Sequence, residues 1–164
     1  MGDKRMENTT QKTLNISLVP KTRITIDGDE SRYIELNLSD MGLVGRINNL
    51  ADRMSALSVE FADAKFDEDM EEREQTEFVV QKIANIDKQM REIVDELFQA
   101  KVSDICVPNG TMFDMVNGEF VYEVLIEKLL QLYADNIGKE TQKTMERIRK
   151  HTNKYIPQDH KKKS

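Results

Sequence analysis

Two apolar stripes in heptad phase constrain this chain more than any other feature. Leu43, Ile47, Leu50, Met54, Leu57 and Phe61 recur at alternating spacings of four and three. Val79, Ile83, Ile86, Met90, Ile93 and Leu97 repeat the pattern. Each spacing lines up one face of a helix. Continuing the first stripe would require Glu68, Glu71 and Gln75 to be apolar, so the register breaks there. The break falls on "DEDMEEREQTEF", Asp67 to Phe78, where seven of twelve residues are acidic. This segment reads as the joint between two antiparallel helices. Its later carboxylates suit the positive first turn of the second helix.

Ahead of the stripes lies an extended region. "TLNISLV" places Leu14, Ile16 and Leu18 on one side, and Pro20 rules out a central strand running through it. "TRITI" and "RYIELNL" alternate with Ile24 and Ile26, then Ile34, Leu36 and Leu38, around the turn "DGDE". A β-hairpin over about 22–38 is the reading. A lone hairpin is marginal in water, so it must pack on the helices or on another copy. Ser39 or Asp40 is placed to cap the first helix.

Past Phe98, "PNG" and "NG" mark turns around Phe113, Met115 and Val116. A third helix starts near Glu119, "EFVYEVLIEKLLQLYADNI", with apolar residues on more than one face. Gly138 is expected to punctuate it, leaving a thin, basic last helix with Met145, Ile148 and Tyr155 on its apolar line. The expected fold is mainly α with a small N-terminal β-hairpin, an α+β arrangement. It combines an antiparallel helical hairpin with C-terminal helices. The expected organisation is a flexible arm at 1–21, a helical domain with its hairpin at 22–156, and a flexible basic tail at 157–164.

Chemistry finds little purchase. A calcium loop needs Gly at its sixth position and Glu at its twelfth. "DGDESRYIELNL" has Arg32 and Leu38 there, and "DEDMEEREQTEF" has Glu72 and Phe78. One Cys and two His, the latter both in the basic C-terminus, are too few for zinc. Cys106 in "SDICVP" has apolar flanks that suit a buried, inert thiol. No phosphate-cradling Gly loop, Walker-type run or GxSxG occurs. The expectation is a non-enzyme without catalytic residues, metal or cofactor.

The overall charge of −6 is unevenly spread. Residues 139–164 hold nine Lys or Arg against three acidic residues, a net +6, so the rest carries −12. An acidic body would repel DNA, and the tail has only Tyr155 to stack on bases, which argues against nucleic acid. A single Cys excludes an internal disulfide and suits a reducing cytoplasm. The apolar runs are too short to span a membrane, and "MGDKRMENTTQKT" has no signal-peptide core. The third helix has more apolar surface than one core seam needs. That surplus points to a partner surface or a homo-oligomer.

The second half resembles the tail assembly chaperones of long-tailed, non-contractile bacteriophages and prophages of Gram-positive hosts. The resemblance is carried by "REIVDELFQAKVSDICVPNG", "EFVYEVLIEKLLQLY" and "RIRKHTNKYIPQDHKKKS". "TRITIDGDESRYIELNLSD" is similar to the family's short extended opening. Where the family often has a Gly-rich "GEGT" after the Phe, this chain has "QAKV", so no special turn is expected at Gln99. The resemblance implies a non-catalytic role: coating and solubilising the tape measure protein, a long apolar helical chain, in the host cytoplasm. Such a chaperone is absent from the mature virion. It also implies the partner-binding residues: Leu97, Phe98, Phe120, Tyr122, Leu125, Leu129, Leu132, Tyr133 and Tyr155, the last followed by Pro157. Arg147, Arg149, Lys150 and Lys154 form the basic tail. Two other readings stand beside it. One is a structural tail or connector subunit that self-assembles. The other is a small nucleic-acid-binding regulator using the basic C-terminus.

Overall fold

A computed structural model describes residues 8–64 and 69–152, with 144, 145 and 147–152 as backbone only. It is mostly helical, with an N-terminal antiparallel hairpin ahead of the helices. Strands β1 (Thr22–Ile26) and β2 (Asp29–Leu36) meet across Asp27 and Gly28. Both turn residues have positive φ, 54° and 70°, as a type I′ turn requires. Ile24 lies opposite Ile34 and Thr22 opposite Leu36. The inner face carries buried Ile34 and Leu36 from β2, but only half-buried Ile24 and Ile26 from β1. On the outer face, Arg23 lies 3.9 Å over the Tyr33 ring and 3.4 Å from Glu35. The ladder is irregular after Thr25, where the Asp29 carboxylate accepts from the Ser31 N–H and hydroxyl.

Helices α1 (Leu43–Ala62) and α2 (Glu72–Phe98) pack antiparallel. Arg46 near the start of α1 donates to the Leu97 carbonyl at the end of α2, and Arg53 lies 3.3 Å from Glu96. Leu43, Leu50 and Leu57 are buried, with Ile47, Met54 and Phe61 packed beside them. On α2, Ile86, Met90, Ile93 and Leu97 are buried, while Val79 and Ile83 nearer its start are half-buried. Glu72 and Glu74 stand in the first turn of α2. Neither Ser39 nor Asp40 caps α1 through its side chain. Asp40 accepts from the Gly42 N–H and pairs with Arg46 instead.

Past Phe98 come a single turn α3 (Ser103–Cys106), a second small hairpin β3 (Met115–Val116) and β4 (Glu119–Phe120), and helix α4 (Val121–Thr152). The β3–β4 turn is Asn117-Gly118, again with two positive φ angles. Two expectations need correction. Phe120 belongs to β4, and the helix begins one residue later. Gly138 does not divide the C-terminal region, because α4 runs through it as one helix. Glycine inside a helix costs about 1 kcal/mol relative to alanine. Glycine ends a helix by turning left-handed, and Gly138 has no positive φ.

The end of α2 also departs from expectation. Gln99 sits in the left-handed region, φ 52° and ψ 40°. Its N–H donates to Glu96 O and that of Ala100 to Asp95 O, at 3.3 and 3.2 Å. That pair of bonds is a Schellman cap, built here without the usual glycine.

Candidate partner-binding surface

Helix α4 crosses the α1–α2 pair and is fixed at two points. Near its start, Phe113, Phe120 and Tyr122 cluster with Phe61 from the end of α1. Phe61 and Phe113 stack at 4.7 Å, and Phe120 meets both edge-on. The Tyr122 and Ser58 hydroxyls share a hydrogen bond of 2.5 Å. Three turns on, Tyr133 stacks on Phe98 at 5.9 Å, and Asn136 donates to the Ser39 hydroxyl ahead of α1. So α4 runs antiparallel to α1 and in the same sense as α2. Burial holds the Tyr122 and Tyr133 phenols above their ordinary pKa.

This placement sorts the residues expected to bind a partner. Leu97, Phe98, Tyr122, Leu129 and Tyr133 are buried, and their side chains form the core rather than a surface. Phe120, Leu125 and Leu132 are half-buried at its margin. Arg147, Arg149 and Lys150 lie on the last turns of α4, described as backbone only. Lys154, Tyr155 and Pro157 lie outside the described residues.

The apolar surplus of α4 resolves into two flanks around its buried line Tyr122–Leu129–Tyr133. Val121, Leu125 and Leu132 form one, and Ile126, Leu130 and Ile137 the other; all six are half-buried. Beside the second flank an open groove of about 430 Å³ separates α1 from α4. Met54 and Ile126 supply its apolar lining, Ala51 and Ser55 its low α1 wall, and Glu123 its rim. Small residues on one wall admit a close approach, and the apolar lining favours an apolar occupant.

No family model matches the chain, and neither does any curated protein or solved structure. Among the described residues no helix is long and apolar enough to cross a membrane. Among them, too, no group of three His, Cys, Asp or Glu side chains is placed to hold a metal ion. Burial raises the Cys106 thiol to about 11, so it is protonated at neutral pH.

The most organised polar cluster lies elsewhere and was not singled out from the sequence. Asp87, Arg91 and Asp95 are spaced four apart on α2 and face residues 99–114. Arg91 donates to Asp87, to Asp104 and to the carbonyls of Ser103, Val107 and Gly110. Asp87 accepts the Met112 N–H at 2.7 Å, and Asp95 accepts those of Val102 and Ser103 at 3.0 and 2.8 Å. The cluster satisfies the backbone of an irregular segment that has no ladder of its own. The available signal was the spacing of "DKQMREIVD", in which Arg and two Asp share a helix face.

Proposed function

We propose that this chain is a non-catalytic binding protein that covers the apolar stripe of a long helical client. Tail assembly chaperones act in this way on the tape measure protein. The observation that supports the reading is α4. Its central line completes the core, yet both flanks stay half exposed, with a groove alongside one of them. Amphipathic helices dock in such grooves through anchors at spacings of three, four and seven. Met54 in the lining adapts to varied anchors. The acidic body keeps the complex soluble. The proposed setting is the host cytoplasm during tail assembly, with the protein shed before the particle matures.

The test is co-expression with a phage tape measure protein, the long helical client this reading expects. The client becomes soluble and co-purifies with this protein. Ile126→Asp, on the groove, lowers client recovery while the variant itself stays folded and soluble. A client equally soluble with and without this protein overturns the reading. The exposed N-terminal arm favours a second reading, a self-assembling structural subunit. Particle composition separates the two, because a subunit stays in finished virions and a chaperone does not.

A further inference from the structure

The arm ahead of β1 is apolar, alternating and uncovered. Leu14, Ile16 and Leu18 are 76%, 57% and 71% exposed. Burial across the hairpin falls off toward the same side. Ile34 and Leu36 on β2 are nearly inaccessible, whereas Ile24 and Ile26 on β1 are half-buried. On the face shared with Ile34 and Leu36, the Arg32 guanidinium donates to the Ile105 carbonyl at 2.8 Å, so α3 packs against β2. The outer edge of β1 has no strand beside it among the described residues. The inner apolar layer therefore ends one strand short, and the arm carries the pattern that would complete it.

The arm cannot close that edge in its own chain by a tight hairpin. Only Pro20 and Lys21 separate Val19 from Thr22. The two-residue turns that fit a hairpin need a positive φ at the first loop position, and proline is locked near −65°. The register that pairs Leu18 with Thr22 would leave Val19, Pro20 and Lys21 as a three-residue loop in one chain, and its type I turn needs Val19 in the αR region that a following proline disfavours. The linker therefore carries the arm away from its own β1.

We propose that residues 14–18 add as a third strand to the β1 edge of a second copy, which returns its own arm in exchange. One antiparallel register puts all apolar positions on the inner face: Leu18 opposite Thr22, Ile16 opposite Ile24, and Leu14 opposite Ile26. Paired residue numbers in this register sum to 40, so it is two-fold symmetric about Pro20. One geometry thus serves both arms at once, as a closed dimer requires. Charge agrees with it. Thr13 to Val19 carry no charge, so Asn15 and Ser17 lie beside Thr25 and Arg23 without conflict. Strand addition also satisfies the exposed edge of β1 and relieves its tendency toward unspecific pairing. This inference does not depend on the client reading.

Light scattering on the full chain after size exclusion tests it. The wild-type mass is that of two chains. Ile16→Asp halves it while leaving the helical circular dichroism unchanged. Register is read by oxidation of Asn15→Cys/Thr25→Cys in a Cys106→Ser background, which gives a covalent dimer on a non-reducing gel. Each cysteine alone gives none, because identical positions lie far apart across the axis. A one-chain mass at every concentration overturns the proposal. So does a cross-link formed within one chain, or a dimer that survives Ile16→Asp.

Discussion

Asp87 and Arg91 stand one turn apart on α2, 2.9 Å from each other, and grip the same loop from both sides of its backbone. Asp87 takes the Met112 N–H, while Arg91 reaches the carbonyls of Ser103, Val107 and Gly110. Arg91→Met keeps the aliphatic stem but strands those carbonyls and the Asp87 carboxylate. A loss of about 2 kcal/mol in denaturant-induced unfolding is expected, in the range for charge-assisted bonds to partly buried groups. Amide exchange should rise first across 99–114. An unchanged midpoint would show that the loop packs without its anchor.

Gln99 holds a conformation in which a side chain is strained. A non-glycine residue in the left-handed region costs about 1–2 kcal/mol. Gln99→Gly removes that strain and keeps the cap, losing only the side-chain bond to Glu96 O. The expected gain is about 1 kcal/mol, or roughly 2–4 °C in Tm for a chain of this size. Gln99→Val should act in the opposite sense.

Acid sensitivity should be traceable to Asp40. Its hydrogen bond with Arg46 and that from the Gly42 N–H hold its carboxyl below the ordinary 3.8. A carboxylate with a lowered folded pKa contributes stability that is present above its unfolded value. That stability is lost as pH falls from about 3.8 through the folded value. Asp40→Asn should therefore destabilise the protein at neutral pH and flatten the acid limb of its pH–stability curve. Parallel curves for variant and wild type would remove Asp40 from that role.

Cys106 should be slow to react until the protein opens. With its thiol raised to about 11 by burial, the thiolate fraction at pH 8 is roughly a hundredfold below that of an ordinary cysteine. Alkylation in native buffer should be slower by that order, and urea should restore the ordinary rate. Equal rates in both conditions would place the thiol in an accessible site.

The two stripes were legible because each reports a local period. Leu43 to Phe61 and Ile86 to Leu97 show the same period-of-seven faces in the sequence that pack in the fold, while Val79 and Ile83 at the start of the second stripe stay outside the core cluster. The first hairpin was legible for a similar reason, since Asp27-Gly28 suits a turn with two positive φ angles and both flanks alternate. Asn117-Gly118 gave the same signal, but strands of two residues are too short to show alternation.

The surface of α4 was not legible. Tyr122, Leu125, Leu129 and Leu132 look alike in the sequence, and only the positions of Phe61, Ser58 and Phe98 separate core from flank. Asp87, Arg91 and Asp95 look like ordinary helix charges, and their partners stand 7 to 25 residues away. The first hairpin, the helical pair and the break between them are elements whose identity is local, and each can be read from neighbouring residues alone. Long-range packing settles which apolar residues of α4 are covered and which backbone groups Asp87, Arg91 and Asp95 hold. Both rest on contacts between residues far apart in the sequence, which no local period reports.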